Sequence, residues 1–248
     1  YYQSLERLYT QQNTSTSLRL TYRDPLQLFF TYLQLSYLHT QHGYYRDYTY
    51  SLDRIVSTPI DSRHHRQTFS AVGVIDKSIA PLGMSLHASL HYSHSSYISS
   101  QLHHLYQIQS DLLMPQLTMT CNKLHPLDLA YTIECSSLWM HHPQRQLRPI
   151  FSLRESLEAG LTLGSHWLFG LEVGHSMNEV GPRSYQHTVF GDLDARWGVS
   201  KRIKLSARLS NLLGQTSYQV NRLSATELSS LVIPLRPREL VVTCTLRI

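Results

Sequence analysis

Apolar and polar residues alternate with period two over most of this chain, the pattern of β-strands whose two faces meet different surroundings. From Tyr185 to Val199 one face carries Val189, Leu193, Ala195, Trp197 and Val199, and the other carries Gln186, Thr188, Asp192, Asp194 and Arg196; only His187 and Phe190 break the separation. Ile203, Leu205, Ala207 and Leu209 then alternate with Lys204, Ser206, Arg208 and Ser210, so the segment Ser200 to Arg202 reads as the turn of a hairpin. The same alternation runs through Met84 to Ser93, Leu127 to Ser136, Arg154 to Leu163 and His166 to Gly174. It predicts about eleven strands, near residues 16–23, 27–41, 65–76, 83–95, 108–122, 127–140, 150–163, 166–178, 185–199, 202–212 and 239–248. Many exceed the usual five or six residues and reach the nine to eleven that a tilted strand needs to cross a bilayer.

The connections sort into two alternating kinds. Short ones are expected near Asp24-Pro25, Lys77 to Leu82, Asn122 to Pro126, Gly164-Ser165 and Ser200 to Arg202; longer polar loops are expected at His42 to His64, Ser96 to Gln107, His141 to Pro149, Asn178 to Ser184 and Leu213 to Arg238. Short turns at one end and long loops at the other are the mark of an outer-membrane β-barrel. A secreted, glycan-binding β-sandwich would share the alternation, but it gives no reason for the sorting. Trp167, Trp197 and Tyr22 fall near the short turns and Trp139 and Tyr92 near the long loops, as two interfacial girdles require.

Composition narrows the choice without overturning it. Only 16% of the 248 residues are charged and Tyr (16) far outnumbers Phe (6), which suits an apolar surface with polar tips. No apolar run approaches the roughly 18 residues of a membrane helix. The net charge is +5, yet the basic residues are scattered, so no nucleic-acid partner is indicated. Cys121, Cys135 and Cys244 form neither a CxxC pair nor a metal-ligand spacing and read as small, unpaired apolar residues.

No nucleophile elbow, phosphate loop, metalloprotease helix or nucleotide fingerprint is present, so no enzyme, no cofactor and no catalytic or metal-binding residue is assigned. The polar-phase charges Glu134, Glu158, Glu172, Asp192, Asp194, Arg196, Lys204, Arg208 and Arg247 read as a hydrated barrel wall laced with cross-strand ion pairs. Three adjacent histidine pairs, His64-His65, His103-His104 and His141-His142, fall in or beside the long loops. Imidazoles there could face a metal or haem cargo, but neighbours in an extended chain point opposite ways, so each pair gives one ligand at most.

The strand Leu240 to Ile248 alternates to the last residue and resembles the signal read by the outer-membrane barrel assembly machinery, with Ile248 where an aromatic is usual. Before it, Leu209-Ser210-Asn211-Leu212-Leu213-Gly214, Tyr218 and Ile233-Pro234-Leu235-Arg236-Pro237-Arg238 resemble the close of TonB-dependent receptors, especially the Bacteroidetes-type outer-membrane β-barrel proteins. The resemblance implies an all-β, antiparallel up-and-down transmembrane barrel of about 22 strands, of which roughly eleven, residues 1–248, are the C-terminal part. The first strands and the N-terminal plug are expected upstream of Tyr1, which has neither an initiator Met nor an export signal. The implied function is nutrient uptake at the bacterial cell outer membrane, with outer-membrane lipid, the assembly machinery, TonB through the plug, and a surface lipoprotein as partners. A passive porin or structural barrel is the alternative, and no ligand-binding residue follows from either.

Overall fold

The computed structural model describes residues 11–50, 55–101, 104–123, 125–144, 147–181, 184–200, 202–223 and 228–246. Ten strands follow one another: β1 Gln12–Asp24, β2 Phe29–Tyr50, β3 Ile55–Ile79, β4 Met84–Gln101, β5 His104–Cys121, β6 Leu127–His141, β7 Ile150–Leu163, β8 Trp167–Gly181, β9 Ser184–Gly198 and β10 Ile203–Ser210. Each pairs antiparallel with the next. Two short strands, β11 Ser217–Leu223 and β12 Leu228–Pro234, then pair with each other, and β13 Glu239–Leu246 returns beside β10. The fold is therefore all-β, a single up-and-down sheet of 11 strands with a small hairpin set into its last connection. No helix among the described residues is long and apolar enough to cross a membrane.

Local chemistry explains the tight turns at one end. Asp24 Oδ1 accepts the amides of Leu26 and Gln27, both at 3.1 Å, an Asx turn that lets β2 start at once. Ser200 Oγ does the same for Arg202 and Ile203 at 3.2 and 3.1 Å. Between β3 and β4 a 3₁₀ turn, Ala80–Leu82, ends on Gly83 at φ 59°, where a Cβ would also meet the side chain of Lys123 at 2.3 Å.

At the other end the expected loops are largely strand. The β2–β3 ladder continues to Tyr50 opposite Ile55, β4–β5 to Gln101 opposite His104, and β8–β9 to Gly181 opposite Ser184. Polar composition suggested loops there, but backbone N–H and C=O groups must find partners whatever the side chains, and an existing ladder supplies them. Of the long connections, only those after β6 and β10 remain outside the large sheet, and the latter holds β11 and β12, which alternation did not predict.

Register keeps the two phases apart. Leu171 lies opposite Leu193, Leu193 opposite Leu209, and Leu209 opposite Leu240. Burial is inverted relative to a water-soluble sheet: apolar-phase Leu193 is 39% and Val242 68% exposed, whereas polar-phase Thr188 is 2% exposed. Thr40, Ser176 and Asn178 of the polar face are likewise buried. The small apolar core also lies on that face, where Ile108 and Met140 are covered by Leu138, Tyr97 and Leu147 from the connection after β6. The three cysteines are free and sit in the apolar phase opposite Leu129, Leu153 and Leu205.

Candidate functional site

The polar face of β6 to β10, roofed at one end by the β11–β12 hairpin, carries a dense group of charges, among them Glu134, Glu158, Glu172, Asp192, Asp194, Arg196, Lys204 and Arg208. Two rows cross it. In one, Ala130, Glu158, Glu172 and Asp192 are successive register partners; in the other, Asp128, Gly160, Gly170, Asp194 and Arg208 are. Gly170 has no room for a side chain, because a Cβ would fall 2.1 Å from Asp194 Oδ1.

One expected cross-strand ion pair forms, Arg208 reaching Asp192 Oδ2 at 2.9 Å, while Arg196 reaches Asp194 Oδ2 at 3.4 Å on its own strand. The rest of the wall departs from the expected lacework of pairs. Glu158 faces Glu172, and Glu172 faces Asp192, and like charges directly opposite repel. Glu134 and Lys204 also take their places on this face, opposite Arg154 and Thr245; Arg247 lies outside the described residues.

The hairpin is fixed to this wall from its base. Asn211, at φ 54°, donates from Nδ2 to the carbonyls of Gln215 and Arg236, both at 2.8 Å, and accepts the Gln215 amide at 2.8 Å. One side chain thus joins both legs of the connection. Its own amide donates to Asp192 Oδ1 at 2.9 Å, so Asp192 ties the hairpin base to Arg208. Farther along, Asn178 Nδ2 donates to the Tyr218 hydroxyl at 3.1 Å and to the Gln219 carbonyl at 3.2 Å. Tyr218 meets Phe190 edge to face, ring centroids 6.0 Å apart. Burial pushes the Tyr218 phenol up, but the hydrogen bonds with Ser176, Asn178 and Arg154 outweigh it and hold the phenol below its ordinary value. Beneath Tyr218 lies a cavity of about 360 Å³ lined by Arg154, Ser156, Glu172, Phe190 and Asp192, within the size range of small-molecule sites.

Two further clusters interrupt the apolar face. Glu155 accepts the Tyr131 hydroxyl at 2.7 Å and bonds His175 Nδ1 at 2.9 Å, and His175 Nε2 is 3.1 Å from His187 Nδ1. Asp111 likewise bonds Tyr92 at 2.6 Å and His94 at 2.8 Å. Both carboxylates are uncharacteristic of an apolar phase, which was the signal available in the sequence.

The histidine pairs do not converge. His65 stacks on His39 with centroids 5.4 Å apart, and His142 lies 4.7 Å from Tyr106. His64 lies in β3, His104 begins β5 and His141 ends β6, so these are strand residues and not loop residues as expected; His103 lies outside the described residues. Among the described residues, no three His, Cys, Asp or Glu side chains come together to hold a metal.

No family model matches the sequence, and no curated protein matches it. Among solved structures, the chain is similar to the ferric yersiniabactin uptake receptor FyuA from Yersinia pestis, at 10% identity and a TM-score of 0.49, over 94% of this chain and 41% of that one. It is also similar to CdiB from Escherichia coli, at 12% identity and a TM-score of 0.38, over 81% of this chain and 36% of that one. The chain spans less than half the length of either.

Proposed function

We propose that this chain is wall from an outer-membrane transport barrel, with its apolar face in lipid and its polar face toward a hydrated passage. The observation that carries the reading is the inverted burial: apolar-phase residues such as Leu193, Leu240 and Val242 lie open along the sheet while Thr40, Ser176, Asn178 and Thr188 of the polar phase are buried. A β-sandwich would cover that apolar face with a second sheet, but the two-stranded sheet packs on the polar face instead. Such wall conducts or admits a solute and performs no catalysis.

The finer reading is a TonB-dependent receptor that takes up a nutrient, its interior filled by a plug and its open edges, β1 and β13, paired with further strands. The segment from Leu209 to Arg238 supports it, since Asn211 gives that motif a structural task at the root of a loop that overhangs the passage. Refolding of the whole gene's product into detergent and vesicles tests the coarse reading: a compact form of heat-modifiable gel mobility is expected, and a water-soluble monomer without detergent would refute it. Uptake by cells producing the protein from its whole gene tests the finer one. Transport that persists after TonB is deleted would replace it with a passive porin.

A further inference from the structure

A hollow at the short-turn ends of β7 to β10 departs in chemistry from the acidic wall above it. It measures about 540 Å³ and is lined by Thr162, Leu168, Arg196, Lys204, Ser206 and Thr245, with His166 of the β7–β8 turn also in its wall. Register puts the strand residues on the polar face in two adjoining rows. Thr162, Leu168, Arg196 and Ser206 are successive partners in one, and Gly198, Lys204 and Thr245 in the next. Trp167, Trp197 and Leu205, which also border the hollow, belong to the opposite phase.

Along β9 the carboxylates of Asp192 and Asp194 come first and Arg196 follows nearer the turn, with Lys204 beyond it on β10. Asp192 is bonded to Arg208, and Arg196 uses only Nε on Asp194. Lys204 has no carboxylate within ion-pair distance among the described residues. Arg196 and Lys204 are diagonal neighbours, so their long side chains can reach one object between them. The wall there is open: Gly198 lies opposite Lys204, and a Cβ on it would meet nothing nearer than the His166 carbonyl at 3.8 Å.

A tetrahedral oxyanion offers several acceptors at once to an ammonium, a guanidinium fork and the hydroxyls of Ser206 and Thr245. We propose that this hollow binds a phosphate or sulfate group carried by a solute. The site stands on the polar face, turned from the apolar band, so a lipid headgroup does not supply that group. Its place at the short-turn mouth of a passage rests on the barrel reading; the site itself rests on register and lining.

The test titrates inorganic phosphate and sulfate into the whole gene's product refolded in detergent, read by calorimetry at low ionic strength, where screening is weak. Saturable binding is expected, and acetate or chloride at matched ionic strength should displace phosphate about tenfold less well. Lys204→Gln combined with Arg196→Gln should weaken binding by about tenfold or more, because hydrogen bonds to charged groups are the strong ones. Gly198→Leu removes no charge but puts a side chain into the open wall, and should weaken binding as much. Arg19→Gln combined with Arg23→Gln removes two cations of the same face, which sit over Tyr32 and Phe30, and should leave binding unchanged. Heat-modifiable mobility checks the fold of each variant; if one of the two site variants fails to fold, the other decides. Absence of saturable binding, an equal loss in the β1 pair, or equal competition by chloride overturns the site. A folded barrel that binds neither anion defeats this proposal alone. A water-soluble fold that binds phosphate through Lys204 and Arg196 keeps the site and defeats the barrel reading.

Discussion

Glu172 shows most plainly how single residues divide the labour of this sheet. It stands between Glu158 and Asp192 on adjacent strands, and only Asp192 has an arginine bonded to it. Glu172→Gln should therefore stabilise the fold, by roughly 0.2 to 1 kcal/mol for each relieved repulsion. The gain should shrink in about 1 M salt, where charges a few ångströms apart are screened; denaturant midpoints at two salt concentrations check it. On the opposite phase, Leu193→Arg places a cation near the middle of the apolar band, at a cost of about 2 to 4 kcal/mol in a bilayer. Leu205→Arg, at the level of Trp197, should cost much less, and Ser206→Arg on the polar face less again. Equal folding yields in vesicles for all three would reverse the assignment of faces. At Gly170, an alanine must push the Asp194 carboxylate aside. Gly170→Ala should thus destabilise the parent but be nearly neutral in Asp194→Ala, a double-mutant cycle that isolates the contact.

Among the elements, the β11–β12 hairpin depends most on one side chain. Asn211→Ala loses the bonds to Gln215 and Arg236 and forces alanine into a left-handed conformation, which alone costs about 1 to 2 kcal/mol. Asn211→Gly keeps the backbone and still loses the bonds. Amide exchange should quicken over 217–234 in both variants, more in Asn211→Ala, and stay unchanged in β4 to β8. The main strands were legible because period two needs no knowledge of neighbours: Leu193 and Thr188 declare their faces from sequence alone. The extended ends of β2, β3, β4 and β5 were not, since a polar strand and a polar loop share a composition and differ only in having a partner. Glu155 and Asp111 stand out in an apolar phase, but their partners stayed hidden for a related reason: Glu155 gains Tyr131, His175 and, through His175, His187 from β6, β8 and β9, while Asp111 gains Tyr92 and His94 from β4, and register is not visible in any one strand.

For the molecule as a whole, the two edges decide what the chain can do by itself. β1 and β13 each have one neighbour among the described residues, and an unpaired backbone group in hydrocarbon costs several kcal/mol. These 248 residues alone should aggregate or pair edge to edge, and co-refolding with complementary strands should restore a heat-resistant form. A steady, uniform single-chain conductance would show instead that β1 and β13 close on each other. The lengths of the strands carry a different consequence. β2 and β3 run for 22 and 25 residues, about 70 to 80 Å at 3.3 Å per residue. With a tilt of 35 to 45° they rise some 50 to 70 Å, against an apolar band of about 25 Å. β6 and β7, at 15 and 14 residues, rise only about 33 to 40 Å at the same tilt. If the proposed barrel reading holds, with the long ends outside the cell, the silhouette there is lopsided, a tower beside low ground, and a large particle such as an antibody or a phage would touch the tower long before it reached the passage.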